Sequence, residues 1–408
     1  MPLTKRQIFL RRRVAVFGGA ALVLGGAFYL PLTLLAPLPE MTAVVASYEA
    51  PPVEQPVLGF PGYGAAAIGA VGYDGVLARA GATDPLPIAS ISKVVTALVV
   101  LDAHPLAVGE SGAEITFTDQ DVAFYDQQLA DDGIVADVRP GQVMSQLNVL
   151  TVMLMMSANN YGQTLATWAF GSEAAYVDAA RVWLADNGFA RTSINDATGM
   201  NPANTSTVDD LIGIGKLALE NPVIAAAVST QSLDVPELGA VGNRNGLLGI
   251  NGVDGIKTGT LDESGACLLF SADHLIGGES ITLVGVVLGG PDHATINAAI
   301  QGLLTEVDAG FREVSLTTAG QVFADYDSPW GDEAEAVAAG PATAVVWAGT
   351  PITSAIDVES IRLGEAGEEV GSITFTFANR VITVPLELDD DIDDPGAWWR
   401  LTNPAVLF

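Results

Sequence analysis

The chain has 408 residues, 17 Lys and Arg against 48 Asp and Glu, a formal net charge of −31 and 49% hydrophobic residues. That balance excludes a nucleic-acid binder as the default reading and excludes a disordered chain, and the length allows two domains plus accessory segments. Cys267 is the single cysteine, so no intramolecular disulfide can form and export has to be read from the N-terminus.

There, Lys5, Arg6, Arg11, Arg12 and Arg13 precede an apolar run over residues 14–38, broken only by Thr33 and two prolines. The run exceeds a signal-peptide core of about 7–15 residues and is long enough to span a bilayer. Basic residues ahead of it place the N-terminus in the cytoplasm and the rest of the chain outside. The expectation is a single-pass cell-membrane protein with an extracellular domain. Cleavage near Val44-Val45-Ala46 would instead give a secreted chain. Residues 39–56, with Pro39, Pro51, Pro52 and Pro56, read as an extended linker.

Residues 65–71 and 75–80 read as two short strands around the turn Gly72-Tyr73-Asp74. Next comes Ile88-Ala89-Ser90-Ile91-Ser92-Lys93, opening a stretch over residues 94–101 that is apolar on every side. Such a stretch is a helix buried in the middle of a domain. Ser90 and Lys93 stand one turn apart on one face, with Ser92 on another. A serine at a helix N-terminus has backbone N–H groups and the positive end of the dipole beside it, which suits an oxygen nucleophile. A lysine in an apolar core gives up its proton near neutral pH and is a base. Alone, the pair reads as an N-cap serine and a lysine reaching to solvent.

Residues 145–222 read as mostly helical, with an apolar helix over 149–156, an amphipathic one over 173–187 and another over 208–219. Leu154-Met155-Met156-Ser157-Ala158-Asn159 closes the apolar helix with a serine and an asparagine two apart. Gly255-Ile256-Lys257-Thr258-Gly259-Thr260 puts a lysine on a strand, and buried strands over 266–272 and 280–288 continue an antiparallel sheet. A helix over 294–307 closes the domain. The chain has four lysines, Lys5, Lys93, Lys216 and Lys257, and two of them lie in these motifs.

Beyond residue 313 short β-type segments take over, such as 344–347. Residues 371–377 alternate apolar and hydroxyl side chains, and Ile382, Val384, Leu386 and Leu388 alternate again across the turn Ala378-Asn379. This is a hairpin with one buried face, and residues 313–390 read as a small β-sandwich without a catalytic constellation. The acidic run from Asp389 to Asp394 has Asp394 and Arg400 where a calcium loop needs glycine and glutamate, so it reads as a solvated loop. Trp398 and Trp399 either dip into a membrane interface or pack under the β domain. His104, His274 and His293 lie outside the motifs and read as surface residues.

Ser-x-x-Lys, Ser-x-Asn and Lys-Thr-Gly in this order resemble the serine D-Ala-D-Ala carboxypeptidases, peptidase family S11, the low-molecular-mass penicillin-binding proteins. Asn243-Arg244-Asn245-Gly246-Leu247-Leu248 ahead of the Lys257 strand adds to the likeness, as do Asp196-Ala197-Thr198-Gly199-Met200 and Ser206-Thr207-Val208-Asp209-Asp210-Leu211. It runs from about residue 59 to the C-terminus. The resemblance implies an α+β fold. Residues 57–312 would form a β-lactamase/transpeptidase-like domain, an antiparallel sheet flanked by helices. A small all-β domain over 313–408 would follow it, and a transmembrane helix within 1–38 and the linker 39–56 would precede it.

It also implies roles. Ser90 attacks the penultimate D-alanine of a peptidoglycan stem peptide ending in D-Ala-D-Ala, giving an acyl-enzyme, and β-lactams inhibit by acylating it. Neutral Lys93 is the base, its proton loosened by the charge of Lys257. Ser157 relays the proton to the leaving amine, and Asn159 orients Lys93 or the substrate amide. Lys257 and Thr258 hold the terminal carboxylate, Gly259 lets the strand approach the ligand, and the N–H groups of Ser90 and Thr260 form the oxyanion hole. No metal, cofactor or nucleic acid is called for, and the membrane is reached through the N-terminal segment. Asn160 stands where relatives often carry aspartate, and Thr260 where they carry a larger residue. A β-lactamase shares the motifs, but residues 174–219 hold no glutamate for its deacylation step. A non-catalytic wall-binding scaffold would have no use for both lysines.

Overall fold

In the computed structural model, which describes residues 4–48 and 55–408, the apolar stretch after Ser90 is the helix Ser92–Ala103, buried at every position from Ser92 to Leu101. It has no polar face to offer solvent and is enclosed by the helices Asn159–Phe170, Glu173–Asp186 and Val208–Glu220. Pro51 and Pro52 of the expected linker lie outside the described residues. The chain divides into two compact units, one of Val53–Arg312 with Val345–Thr350, the other of Met1–Pro52, Glu313–Ala344 and Pro351–Phe408.

The first unit is built on a five-stranded sheet in the order Val253–Leu261, Gly265–Ile276, Glu279–Gly290, Ala65–Ala70 and Ala78–Gly81. Every neighbouring pair is antiparallel. Ala65–Ala70 is buried at all six positions, which is why its sequence lacks the alternation of a half-exposed strand. The strand carrying Lys257 lies at the sheet edge, with Lys257 opposite Leu269 and Gly259 opposite Cys267. An edge strand keeps one row of backbone groups unpaired, and here that row faces the Ser90 turn.

The helix Gln146–Met156 starts at Ser145, whose Oγ accepts from Asn148 N at 3.2 Å, and stops at Ser157 with φ +63°. Asn159 does not end this helix as expected from sequence; it opens the next one, Asn159–Phe170. The Ser-x-Asn motif is therefore a left-handed corner between two helices, which turns both side chains inward. The helices Asp119–Ala130, Pro222–Ser229 and His293–Val307 and three short strand pairs complete the unit.

The second unit contains a six-stranded sheet, ordered Val44–Val45, Val322–Asp327, Glu333–Ala338, Arg380–Leu388, Glu369–Phe377 and Ile352–Val358. The expected hairpin is present with Ile373 opposite Val384 and Phe375 opposite Ile382. Its buried face holds Ile373, Phe375, Phe377, Val384, Leu386 and Leu388. The described part of the expected linker is no free spacer. Val44 and Val45 pair with Asp325 and Ala324, and Met41 N donates to Ile361 O at 2.7 Å. The exposed edge of Val322–Asp327 supplies unpaired backbone groups, and residues 44–45 satisfy them.

The helix Lys5–Leu34 is long and apolar enough to cross a membrane. In the same unit, Tyr29 Oη donates to Leu401 O at 2.6 Å and Arg400 Nη1 to Ala36 O at 2.6 Å. The helix Gly396–Thr402 thus lies beside the last turns of the apolar helix. Trp399 packs edge-on against Trp330, and Trp398 is 78% exposed. The acidic run is partly structural: Asp389 accepts from Glu335 N, Asp391 from Ala366 N, and Asp394 pairs with Arg400.

Candidate active site

Ser90 sits in a 3₁₀ turn, Ala89–Ile91, just ahead of the buried helix. Ala89 has φ +46°, a left-handed conformation that costs an L-residue about 1–3 kcal/mol and persists only when its surroundings impose it. Ser92 Oγ donates to Ala89 O at 2.8 Å and accepts from Asn204 Nδ2 at 3.0 Å. A Cβ on Gly199 would overlap Ala89 O, and one on Gly259 would lie 2.9 Å from Ile88 O and 3.2 Å from Ser90 N. Two motif glycines therefore clamp the turn from either side. The close approach that Gly259 permits here is to the Ser90 turn. Ser92 is a buried strut.

Lys93 Nζ is buried among three oxygens: Ser90 Oγ at 2.9 Å, Asn159 Oδ1 at 2.7 Å and Thr198 O at 2.6 Å. Burial lowers its pKa from 10.5 to about 7, with Asp196 opposing. Burial is the largest cause of that lowering. The repulsion between the two ammonium groups is mutual, and burial, Lys93 and Arg244 together push Lys257 well below its ordinary value. An anion placed beside Lys257 would raise its pKa again.

The stretch that begins at Asp196 has a local purpose. The Asp196 carboxylate accepts from the backbone N–H of Thr198 at 2.8 Å, Gly199 at 2.5 Å and Asn201 at 2.6 Å. That turn aims Thr198 O at Lys93 and sets Gly199 against Ala89. Ser157 Oγ is buried and has no hydrogen-bond partner among the described residues. It lines a cleft of about 120 Å³ together with Ser90, Arg244, Thr258, Thr260 and His293.

Two of these cleft residues had no role assigned from sequence. Arg244 is held through its backbone N–H to Met155 O at 3.1 Å, and its guanidinium pairs with no carboxylate among the described residues. His293 Nε2 lies 2.7 Å from Thr260 Oγ1, and burial, Arg244 and Lys257 lower its pKa against Asp292. The surface reading of His293 is thereby corrected. His104 is half-buried against Trp168, and His274 pairs with Asp308 at 2.6 Å. The available signal was the break after the third strand, where Asp292 caps a new helix by accepting from Thr295 N at 2.7 Å and His293 follows it.

Arg244 thus brings a positive charge to one cleft of a chain whose net charge is −31, beside Lys257 and His293, whose lowered pKa values a neighbouring anion would raise. Such a cleft attracts an anion of carboxylate size. No carboxylate lines it. Glu173, one residue before the stretch searched for a deacylating glutamate, is occupied with Gln163 and Ala197.

A polar corner, a buried serine–lysine pair and an edge strand on a helix-flanked antiparallel sheet define an acyl-transfer class of site. The family model for D-alanyl-D-alanine carboxypeptidase, peptidase family S11, matches residues 70–292. The chain belongs to that family. It is similar to the D-alanyl-D-alanine endopeptidase of Pseudomonas aeruginosa, 28% identical over 202 residues, 45% of this chain and 58% of the relative. The Escherichia coli protein of the same name is 29% identical over 145 residues, 36% of this chain and 44% of the relative. The matches span about half the length of these relatives. The structure of penicillin binding protein 5 from Haemophilus influenzae shares the fold, with TM-score 0.57 at 18% identity over 85% of this chain and all 100% of that one.

Proposed function

We propose that the chain removes the terminal D-alanine from peptidoglycan stem peptides ending in D-Ala-D-Ala through a serine acyl-enzyme, and that β-lactams acylate the same serine. The observation that carries this is the set of partners around Lys93 Nζ. A neutral amine has two N–H bonds and one lone pair. Asn159 Oδ1 and Thr198 O can only accept, so they take the N–H bonds, and the lone pair is left for the hydroxyl of Ser90 at 2.9 Å.

As Ser90 Oγ bonds to the carbonyl carbon, its proton passes to Lys93 Nζ. The oxyanion is held by the N–H groups of Ser90 and Thr260. When the C–N bond breaks, the proton passes to the leaving amine through Ser157 Oγ, whose lack of another partner leaves it able to relay. Lys257 and Thr258 hold the terminal carboxylate, Arg244 adds charge beside it, and His293 lines the same cleft. Water then cleaves the acyl-enzyme.

A second reading is an endopeptidase acting on cross-linked stem peptides, favoured by the names of the two curated relatives. The proposed topology is a single pass through the cell membrane with the catalytic unit outside. Supporting it are the basic cluster before the apolar helix and the placement of Gly396–Thr402, with exposed Trp398, beside that helix's end.

The test is covalent labelling with a fluorescent penicillin, combined with product analysis on a D-Ala-D-Ala peptide and on a cross-linked dimer. Label on the Ser90 peptide, lost in Ser90→Ala, with release of D-alanine from the uncross-linked peptide, is the expected result. Label that persists in Ser90→Ala, or β-lactam turnover without D-alanine release, refutes the proposal. Cleavage of the dimer alone selects the second reading.

A further inference from the structure

The hydrogen bonds behind Lys93 form a directed circuit. Asn159 Oδ1 accepts from Lys93, and Asn159 Nδ2 donates to Gln128 Oε1 at 2.8 Å. Gln128 Nε2 donates to Gln163 Oε1 at 3.1 Å, and Gln163 Nε2 donates to Glu173 Oε2 at 3.3 Å. The other carboxylate oxygen, Glu173 Oε1, accepts from Ala197 N at 3.0 Å. The next residue, Thr198, returns its carbonyl to Lys93 at 2.6 Å. Asn159, Gln128 and Gln163 are all at most 5% exposed, so no amide among them turns to solvent. Gly133 lies over the first link: a Cβ there would stand 2.6 Å from Asn159 Nδ2 and 2.9 Å from Gln128 Oε1.

An amide has a donor end and an acceptor end of nearly equal size, so a chain of amides fits its space in either direction. An ionised carboxylate has only acceptors. Placed at the end of the chain, it admits one direction. From this we infer that Glu173 is a positioning residue for the acyl transfer. Acting through Gln163 and Gln128, it fixes the Asn159 amide with its oxygen toward Lys93, while its second oxygen holds the loop that supplies Thr198 O. One carboxylate thereby sets both acceptors of Lys93 and leaves the amine's lone pair to Ser90. The inference rests on the proposed function, in which Lys93 is the base.

Reversal of the chain has a signed consequence. If the Asn159 NH₂ faced Lys93, it would donate to the lone pair, favouring the neutral amine and occupying the electrons that Ser90 needs. The midpoint of Lys93 would fall and acylation would slow. The charged and titratable groups facing Lys93 besides Glu173 are Asp196 from its loop, Lys257 from the edge strand, Arg244 beyond it and Tyr176 from the Glu173 helix. None of these is altered in the variants below.

The experiment uses the full chain carrying [¹³Cε]lysine, whose four lysines give few resonances to follow. Lys93 is titrated by NMR, and the rate of fluorescent-penicillin acylation is measured against pH. Glu173→Gln supplies a donor at the end of the chain, and is expected to lower the Lys93 midpoint by about one pH unit and plateau acylation about tenfold. The double variant Glu173→Gln/Gln163→Glu moves the carboxylate one link inward. The introduced amide then donates to the introduced carboxylate and accepts from Ala197 N, and Gln128 again meets only acceptors. Midpoint and rate are expected to return. An unmoved midpoint in Glu173→Gln, or a lowered midpoint in both variants, overturns the inference. The titration decides the relay, whereas absence of Ser90 acylation in the unaltered chain would refute the proposed function instead.

Discussion

Replacing Lys93 by methionine should change the stability of the catalytic unit with a sign that depends on pH. Burial moves the lysine from 10.5 to about 7. At about 1.4 kcal/mol per pH unit, the buried ammonium costs about 5 kcal/mol relative to the unfolded chain. Below pH 7 both states hold the proton and the full cost applies. Between 7 and 10.5 only the unfolded chain holds it, so stability lost at low pH is regained as pH rises. Lys93→Met removes this dependence but leaves Ser90 Oγ, Asn159 Oδ1 and Thr198 O without their hydrogen-bond partner. At about 1 kcal/mol per hydrogen bond, that loss is about 3 kcal/mol at every pH. The variant should therefore be more stable than the parent by about 2 kcal/mol near pH 6, and the advantage should shrink by about 1.4 kcal/mol per unit above pH 7, reversing at about pH 8.4, so that the parent is the more stable at pH 9. Relief of repulsion on Lys257 acts in the same direction at low pH. Urea unfolding of both proteins at about pH 6, 7.5 and 9 measures the difference. A difference that stays constant with pH, or that grows with pH in the variant's favour, would refute burial as the cause of the lowered pKa.

Lys257→Ala should weaken acylation by a D-Ala-D-Ala peptide with a free carboxylate about tenfold to a hundredfold, and by the amidated peptide much less, because one charge-assisted contact of about 1.5–3 kcal/mol is lost; equal slowing of both forms would mean that Lys257 does not hold the carboxylate. Ser92→Ala removes a bond donated to Ala89 O and one accepted from Asn204. It should lower stability by about 1–3 kcal/mol and slow acylation with it, and a fully active, equally stable variant in thermal melts and labelling assays would show that the Ser90 turn holds its shape without the strut.

Much of the fold was legible because its evidence is local. The all-round apolarity of residues 94–101 marks a central helix, and the alternation across Ala378-Asn379 marks a hairpin with one buried face; both follow from periodicities of 3.6 and 2. The three motifs named Ser90, Lys93, Ser157, Asn159 and the Lys257 strand, since the polar groups of each stand within a few residues of one another along the chain. What spacing does not show is which surface an isolated polar residue meets after folding. His293 and Arg244 reach the cleft because a helix start and a loop converge on one sheet edge, and neither carries a periodic signal. The linker showed proline content but not that Val44–Val45 would complete a sheet, because an edge strand is recruited by a partner some 280 residues away. Ser92 looked incidental on a helical wheel, which ignores the 3₁₀ turn preceding it. Glu173 is the clearest case. Its sequence position says only that it opens an amphipathic helix, whereas its relation to Lys93 runs through amides on two other helices and a loop. Hydrogen-bond direction is a property of the assembled circuit, so only the tertiary structure decided it.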